Sequence, residues 1–345
     1  MNTKLLSIIF IIFSIWSYSQ DIVRDSVTVK KYVEDDKNKI SLIAGLSYID
    51  DSFGLLYEDK VFRLRPNDAF YTEFFLRYRW IDITFSFAPK LTKINRDDAE
   101  KGKTKYFNLG FSFFVAPKVR QFLYYSEVRG LYFQDTQDFM RLLNGPDYSG
   151  EGYLQFPDAK YRSYRGETSY LWLGNKVDYR SFTNMTYKPL KDVFVLSTGL
   201  FYQYNILSDT NRTIYQGEDF TDSEDIDSKL KDFRIAVRTG GGVQKTFKDK
   251  WYIIAEAYPE VYYSKLVDED NLHEFNIGFY SNARIGYDNG NWFFGGGAQL
   301  NWVNSTNDNF YSSKQWLFRI GLGFRWGAPK FVNKNFNKLD KALNF

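Results

Sequence analysis

Alternation of apolar and polar residues with a period of two, repeated along most of the chain, restricts this sequence more than any other feature. Successive strand side chains point to opposite faces, so such a period describes strands with one apolar and one polar side and is incompatible with an amphipathic helix. Ile40, Leu42, Ala44, Leu46 and Tyr48 alternate with Ser41, Gly45 and Ser47. Phe70, Thr72, Phe74, Leu76 and Tyr78 alternate with Glu73, Arg77 and Arg79, and Ile81, Ile83, Phe85 and Phe87 with Asp82, Thr84 and Ser86. The pattern returns from Phe107 to Val115, Phe194 to Tyr204, Phe233 to Val243, Ile253 to Val261, Phe275 to Ile285, Phe294 to Trp302 and Trp316 to Trp326. Arg120 to Phe133 and Val177 to Tyr187 alternate less cleanly and complete a set of about twelve strands.

The spacers sort by length. Tight connections near Arg79-Trp80, Pro117-Lys118, Lys188 to Asp192, Lys248 to Lys250 and Asp288 to Asn291 take turns with long ones. The long ones are Ile49 to Ala69, Leu91 to Lys105, Gln134 to Lys176, Ser208 to Asp232, Lys265 to Leu272 and Asn304 to Lys314. Short turns at one end and long loops at the other characterise bacterial outer-membrane barrels. The fold class expected is therefore all-β, a transmembrane antiparallel up-and-down barrel with both termini in the periplasm. The main threat to the count is a short strand around Glu167 to Leu173, inside the third long loop.

Composition agrees. Phe, Trp and Tyr make up 20% of the chain, and these residues favour strands and membrane–water interfaces. Trp80, Trp251, Trp292 and Trp326 fall at the periplasmic strand ends and Trp302 and Trp316 at the outer ends, whereas Trp172 has no assigned place. After the first residues no apolar run approaches a membrane helix, and mean hydropathy is −0.44. Lys4, the apolar stretch Leu5 to Trp16 and Ser17-Tyr18-Ser19 form a signal peptide, residues 1–19, too short at a rise of about 18 Å to span a hydrocarbon core of about 30 Å. Residues 20–38 are then a periplasmic N-terminal segment, 39–326 the barrel and 327–345 a periplasmic C-terminal tail. A near-balance of 45 basic and 42 acidic residues implies no nucleic-acid partner. The partners expected are outer-membrane lipid and lipopolysaccharide of a Gram-negative envelope. Without cysteine there is no lipid-modified N-terminus, disulfide or thiolate metal site.

Chemistry is sparse. His273 is the only histidine and stands at an outer strand end, where a barrel enzyme acting on lipid or lipopolysaccharide could place a site, but no activated-serine motif accompanies it. Glu218, Asp219, Asp222, Glu224, Asp225 and Asp227 lack the spacing of a calcium loop, so no metal or other cofactor is expected. Gly240-Gly241-Gly242 and Gly295-Gly296-Gly297 sit in strands and read as curvature and close lumen packing. The polar parity is more informative. Arg77, Arg79, Arg129, Arg180, Arg234, Arg238, Arg284, Arg319 and Arg325 share a side with Glu73, Asp82, Glu127, Asp178, Glu256 and Glu260, and in a barrel they line the lumen. No residue is assigned a catalytic role. The function expected is a narrow, anion-leaning solute channel or a binding or structural component of the envelope, with the His273 enzyme as alternative.

Several local motifs, taken in order, resemble a family of exported barrel-like envelope proteins described as a domain of unknown function. They are Arg65-Pro66-Asn67, Arg77-Tyr78-Arg79-Trp80, the basic Lys101-Gly102-Lys103-Thr104-Lys105-Tyr106 and Val128-Arg129-Gly130-Leu131-Tyr132-Phe133. The resemblance is firmest over Val61 to Phe133 and looser to Trp326. It implies an outer-membrane location and supplies no activity.

Overall fold

The computed structural model describes residues 38–50, 52–57, 60–67, 70–79, 81–89, 97–116, 118–174, 181–182, 186–221, 229–248, 250–267, 273–304 and 314–343. The signal segment, Trp80, Arg180, Asp178 and the acidic stretch from Asp222 to Asp227 lie outside them. Twelve strands close into an antiparallel barrel. In chain order they are β1 (Lys39–Asp50), β4 (Phe70–Tyr78), β5 (Ile81–Phe87), β6 (Lys105–Ala116), β7 (Val119–Phe133), β8 (Leu154–Leu173), β9 (Val193–Ser208), β12 (Leu230–Phe247), β13 (Trp251–Leu266), β14 (His273–Asp288), β15 (Trp292–Asn304) and β16 (Lys314–Gly327). Each pairs with its neighbours in this sequence, and β1 with β16 closes the ring from Lys39↔Gly327 to Asp50↔Trp316. Two hairpins, β2 (Phe53–Tyr57) with β3 (Lys60–Arg65) and β10 (Arg212–Tyr215) with β11 (Glu218–Thr221), extend the sheet at the long-loop end. Three helices have both ends among the described residues: α1 (Asp98–Lys101), α2 (Thr136–Asn144) and α3 (Lys330–Leu343).

The sixth barrel strand is not the one expected. Val177 to Tyr187 is not a strand where it is described, and β8 takes its place, absorbing the short segment Glu167 to Leu173. The count is unchanged because one strand is exchanged for another. β8 escapes a hydrophobicity reading because its outer face carries Arg162, Tyr164, Gly166, Thr168, Tyr170 and Trp172, with few aliphatic residues. Yet it pairs along most of its length with β7, from Val119↔Tyr170 to Phe133↔Leu154, and with β9, from Lys160↔Ser208 to Leu173↔Leu196. The connection from β8 to β9, residues 174–192, is thus a long segment at the end where short turns were expected. Trp172 moves with β8 to that end, where it is exposed and donates its indole N–H to Thr198 Oγ1 at 2.8 Å.

Parity divides the wall into two faces. Leu200, Val237, Val261 and Ile277 are register partners on four successive strands, and all four point outward, 42%, 51%, 57% and 57% exposed. Leu46, Phe111, Ile253, Phe318, Ile320 and Leu322 continue this apolar belt. The alternate positions hold Ser47, Glu73, Arg77, Asn108, Gln203, Arg234 and Glu260, all buried inside. An apolar exterior around a polar interior inverts the arrangement of a water-soluble protein.

Above the belt the wall is uneven, because β7, β8, β9 and β12 run past β6. At Gly130 a bulge lets β7 leave β6 and take β3 as partner instead, with Leu64↔Phe133 and Arg65↔Tyr132. Gly130 has φ +82°, and an added Cβ would stand 2.1 Å from the Lys103 carbonyl oxygen. Thr104 Oγ1 donates to the Gly130 carbonyl and accepts from the Asn67 backbone N–H, both at 2.8 Å, while Asn67 Nδ2 donates to the Gly102 carbonyl. Three of the family-like motifs thus meet in one structural junction.

Candidate functional site: the lumen and its closures

At the end where β1 begins and β16 finishes, the lumen holds the described part of the β8–β9 connection. Phe182 packs among Phe114, Leu171, Val195, Tyr252 and Ile254. Gly242 makes this possible, since a Cβ there would lie 2.6 Å from the Phe182 ring. The segment is held by its backbone. Arg77 Nη1 donates to the Thr186 carbonyl at 2.8 Å, and Arg325 donates to the same oxygen from Nη2 at 2.9 Å and Nε at 3.2 Å. Arg284 Nη2 donates to the Phe182 carbonyl. Arg77 also lies 3.5 Å from the Tyr187 ring centre. Arg325 forms a two-pronged pair with Asp288, at 2.7 and 2.6 Å, whose side chains are 0% and 1% exposed. Desolvated guanidinium forks are costly without acceptors, and the carbonyls of Phe182 and Thr186 supply some that carboxylates do not.

Helix α3 covers this mouth from below. Asn333, Phe336, Asn337 and Asp340 recur at helical spacing on one face. Arg79, in the β4–β5 turn with φ 54°, pairs with Asp340 at 2.5 Å and donates to Asn337 Oδ1 at 2.7 Å, while Tyr78 meets Phe336 edge-on. The expected tail therefore contains a docked helix, and Arg79 serves this mouth and not the middle of the lumen.

Higher up, charges pair across strands. Arg319 reaches Glu73 at 2.5 and 3.2 Å. Glu260 takes Arg234 at 2.7 Å and Arg238 at 3.4 Å, and Arg238 also meets Glu167 at 3.3 Å. Glu256 turns instead to the next strand, accepting from Asn282 Nδ2 at 2.8 Å with Arg284 at 3.7 Å. Between these groups lies a chamber of about 120 Å³, with Phe182 in its floor and Arg120, Arg238, Arg284 and Arg319 among its walls.

The expected lumen set needs correction. Arg129 and Glu127 stand on the outer face, because Arg129 is the register partner of Lys105 and Glu127 of the exposed Phe107. There Arg129 joins Asp158 and Arg212 above the belt, and Glu127 joins Arg162. Tyr124 and Tyr125 put an aromatic residue on each face of β7, so hydrophobicity alone does not settle its parity. Conversely Arg120, Arg165, Glu167, Asp232, Glu274 and Asp288 belong inside and were missed. Arg120 donates to Ser112 and Arg165 to Ser163. With these included, arginines and carboxylates among the described residues nearly balance, and the expected positive excess disappears.

His273 is exposed and faces outward, with the Tyr263 ring 6.2 Å away. Asp219, of the acidic stretch, is bonded to Arg212.

Residues 23–326 match the family described as a domain of unknown function (DUF4421). Comparison with curated proteins finds no match. Among solved structures, the chain is similar to the translocator domain of the autotransporter NalP from Neisseria meningitidis, at 11% identity and TM-score 0.47 over 87% of this chain and 93% of that one. It is also similar to the toluene transporter TbuX of Ralstonia pickettii (10%, 0.31, 85% and 90%) and the outer-membrane protease OmpT of Escherichia coli (9%, 0.33, 84% and 97%).

Proposed function

This chain belongs to the DUF4421 family, and we propose that it is an outer-membrane barrel, closed at rest by its own β8–β9 segment, that passes small solutes only when that segment moves. The observation that carries this reading is the seating of Phe182 and Thr186 inside the barrel, with their carbonyls taken by Arg77, Arg284 and Arg325. Twelve strands enclose an interior between those that side chains fill and those that leave an aqueous channel, so an inserted segment decides whether it conducts. Membrane residence is supported by the outward apolar belt, which in water would be a contiguous exposed apolar surface of a size seldom tolerated. Export through the signal at residues 1–19, periplasmic termini and contact with lipopolysaccharide at the long-loop end follow from the same reading. An enzyme built on His273 is not carried forward, because that side chain faces away from the lumen.

Conductance of the full mature chain in a planar bilayer tests the proposal. The wild type is expected to be mostly silent, and replacement of residues 176–186 by a short glycine–serine linker to produce steady conductance. A large porin-like conductance in the wild type, or silence of the correctly folded linker variant, would rule it out.

A further inference from the structure

We propose that the mid-lumen chamber is a binding site for one small oxyanion, a carboxylate or phosphate group, held chiefly by Arg284 and Gln299. Its volume of about 120 Å³ has room for several waters or one group of that scale. What the walls offer decides the sign of the ligand. The carboxylates are already engaged: Glu167 accepts from Ser169 at 2.6 Å and faces Arg238, and Glu256 accepts from Asn282 and Tyr258 beside Arg284. Donors remain. Arg284 Nε is buried without a hydrogen-bond partner among the described residues, on a side chain only 9% exposed. Gln299 accepts from Tyr280 through its carbonyl, so its NH2 is the end left for the chamber. Arg120 and Arg319 add positive charge on two further strands, where low dielectric and desolvation strengthen a charge-assisted bond.

Arg284 also links this site to the closure beneath it. The same guanidinium donates through Nη2 to the Phe182 carbonyl. An oxyanion forked across Nε and Nη2 competes with that carbonyl for Nη2, so such binding weakens the hold on Phe182. This consequence rests on the plugged-barrel reading; the site itself needs only the chamber.

The test is isothermal titration of the refolded full chain in detergent micelles with inorganic phosphate and with acetate, using sodium chloride at matched ionic strength as control. Saturable binding of one oxyanion, absent with chloride, is expected. Arg284→Gln should weaken it roughly tenfold or more, as for loss of a hydrogen bond to a charged group. Gln299→Ala, which touches the chamber without touching the Phe182 carbonyl, should weaken it less, and carries the test if Arg284→Gln does not fold. Arg165→Gln, a lumen arginine outside the chamber, should leave it unchanged. No saturable binding by the folded wild type, or binding unaltered by both chamber variants, overturns the proposal. Binding that persists while the linker variant never conducts would sink the gating reading and leave the site standing.

Discussion

The two ends of this barrel are packed by different chemistry. At the long-loop end, Phe62, Leu64, Val128, Leu131, Phe133, Ala159, Tyr161 and Leu207 form an apolar cluster with α2 packed on it through Phe139 and Leu142. At the other end Phe182 also packs among apolar residues, but the backbone around it is held by polar contacts: arginines on backbone carbonyls, the Arg325–Asp288 pair and the Arg79–Asp340 contact. Apolar packing is non-directional and roughly proportional to area, so it yields gradually. A polar closure is a small number of directional bonds, each strong only while its geometry holds, and it can release as a unit. The difference sets a gradual, area-dependent packing at one end against a small set of directional bonds at the other.

The largest effects should come from striking each closure at its centre. Asp288→Ala takes the only paired carboxylate described from the buried Arg325, and should cost about 3–5 kcal/mol while raising the frequency of channel openings. Phe133→Ala should cost a similar ~3–5 kcal/mol by cavity formation, with no added openings. Urea titration followed by gel mobility of the folded form, together with bilayer recording, measures both; openings in both variants alike would erase the distinction. Between the ends, Leu200→Arg places a charge on the outer belt and should cost about 2–4 kcal/mol. Gly199→Ser faces inward, where the new Cβ would meet Glu167 Oε1 at 3.0 Å, and should be milder. Equal loss from both would show that the faces are reversed.

Gly130→Ala should cost about 1–3 kcal/mol through its left-handed backbone and the Lys103 carbonyl, and should loosen the apolar end alone. Protection of the β3–β7 amides from hydrogen exchange is the appropriate readout, and unchanged protection would contradict the junction described at Gly130. The smallest effect belongs to the exposed charges of the long-loop end. Lys160, 3.0 Å from Asp209, holds that carboxyl below the usual range through its hydrogen bond. The stabilisation is therefore present above the unfolded value of about 3.9 and is lost as pH falls through the depressed one. For so exposed a pair it should amount to ~0.2–1 kcal/mol and fade in high salt. An acid transition of this end that ignores Asp209→Asn would show the pair to be idle.

Much of this architecture was legible in the sequence because a strand's period is local. Phe107 to Val115 or Phe275 to Ile285 display their two faces whatever they pair with, and closure of a ring needs only that each strand find the next. That is why about twelve strands, an apolar exterior and an arginine-bearing interior could be read from residue order. The Arg65, Arg77, Lys101 and Val128 motifs were legible as a pattern, but their purpose was not: they tie β3 to β7, and they hold the inserted segment and α3. Tertiary structure alone decided what fills the sixth strand position. β8 has a polar outer face and is chosen by its pairing with β7 and β9, whereas Phe182, from the stretch expected to be a strand, is buried inside the lumen. It also decided the side on which Arg129 stands, since Tyr124 and Tyr125 make both parities of β7 look apolar. Period two states which residues share a face; which face is the lumen, how high a residue stands above the belt and which carbonyl meets which guanidinium depend on register between strands far apart in the chain.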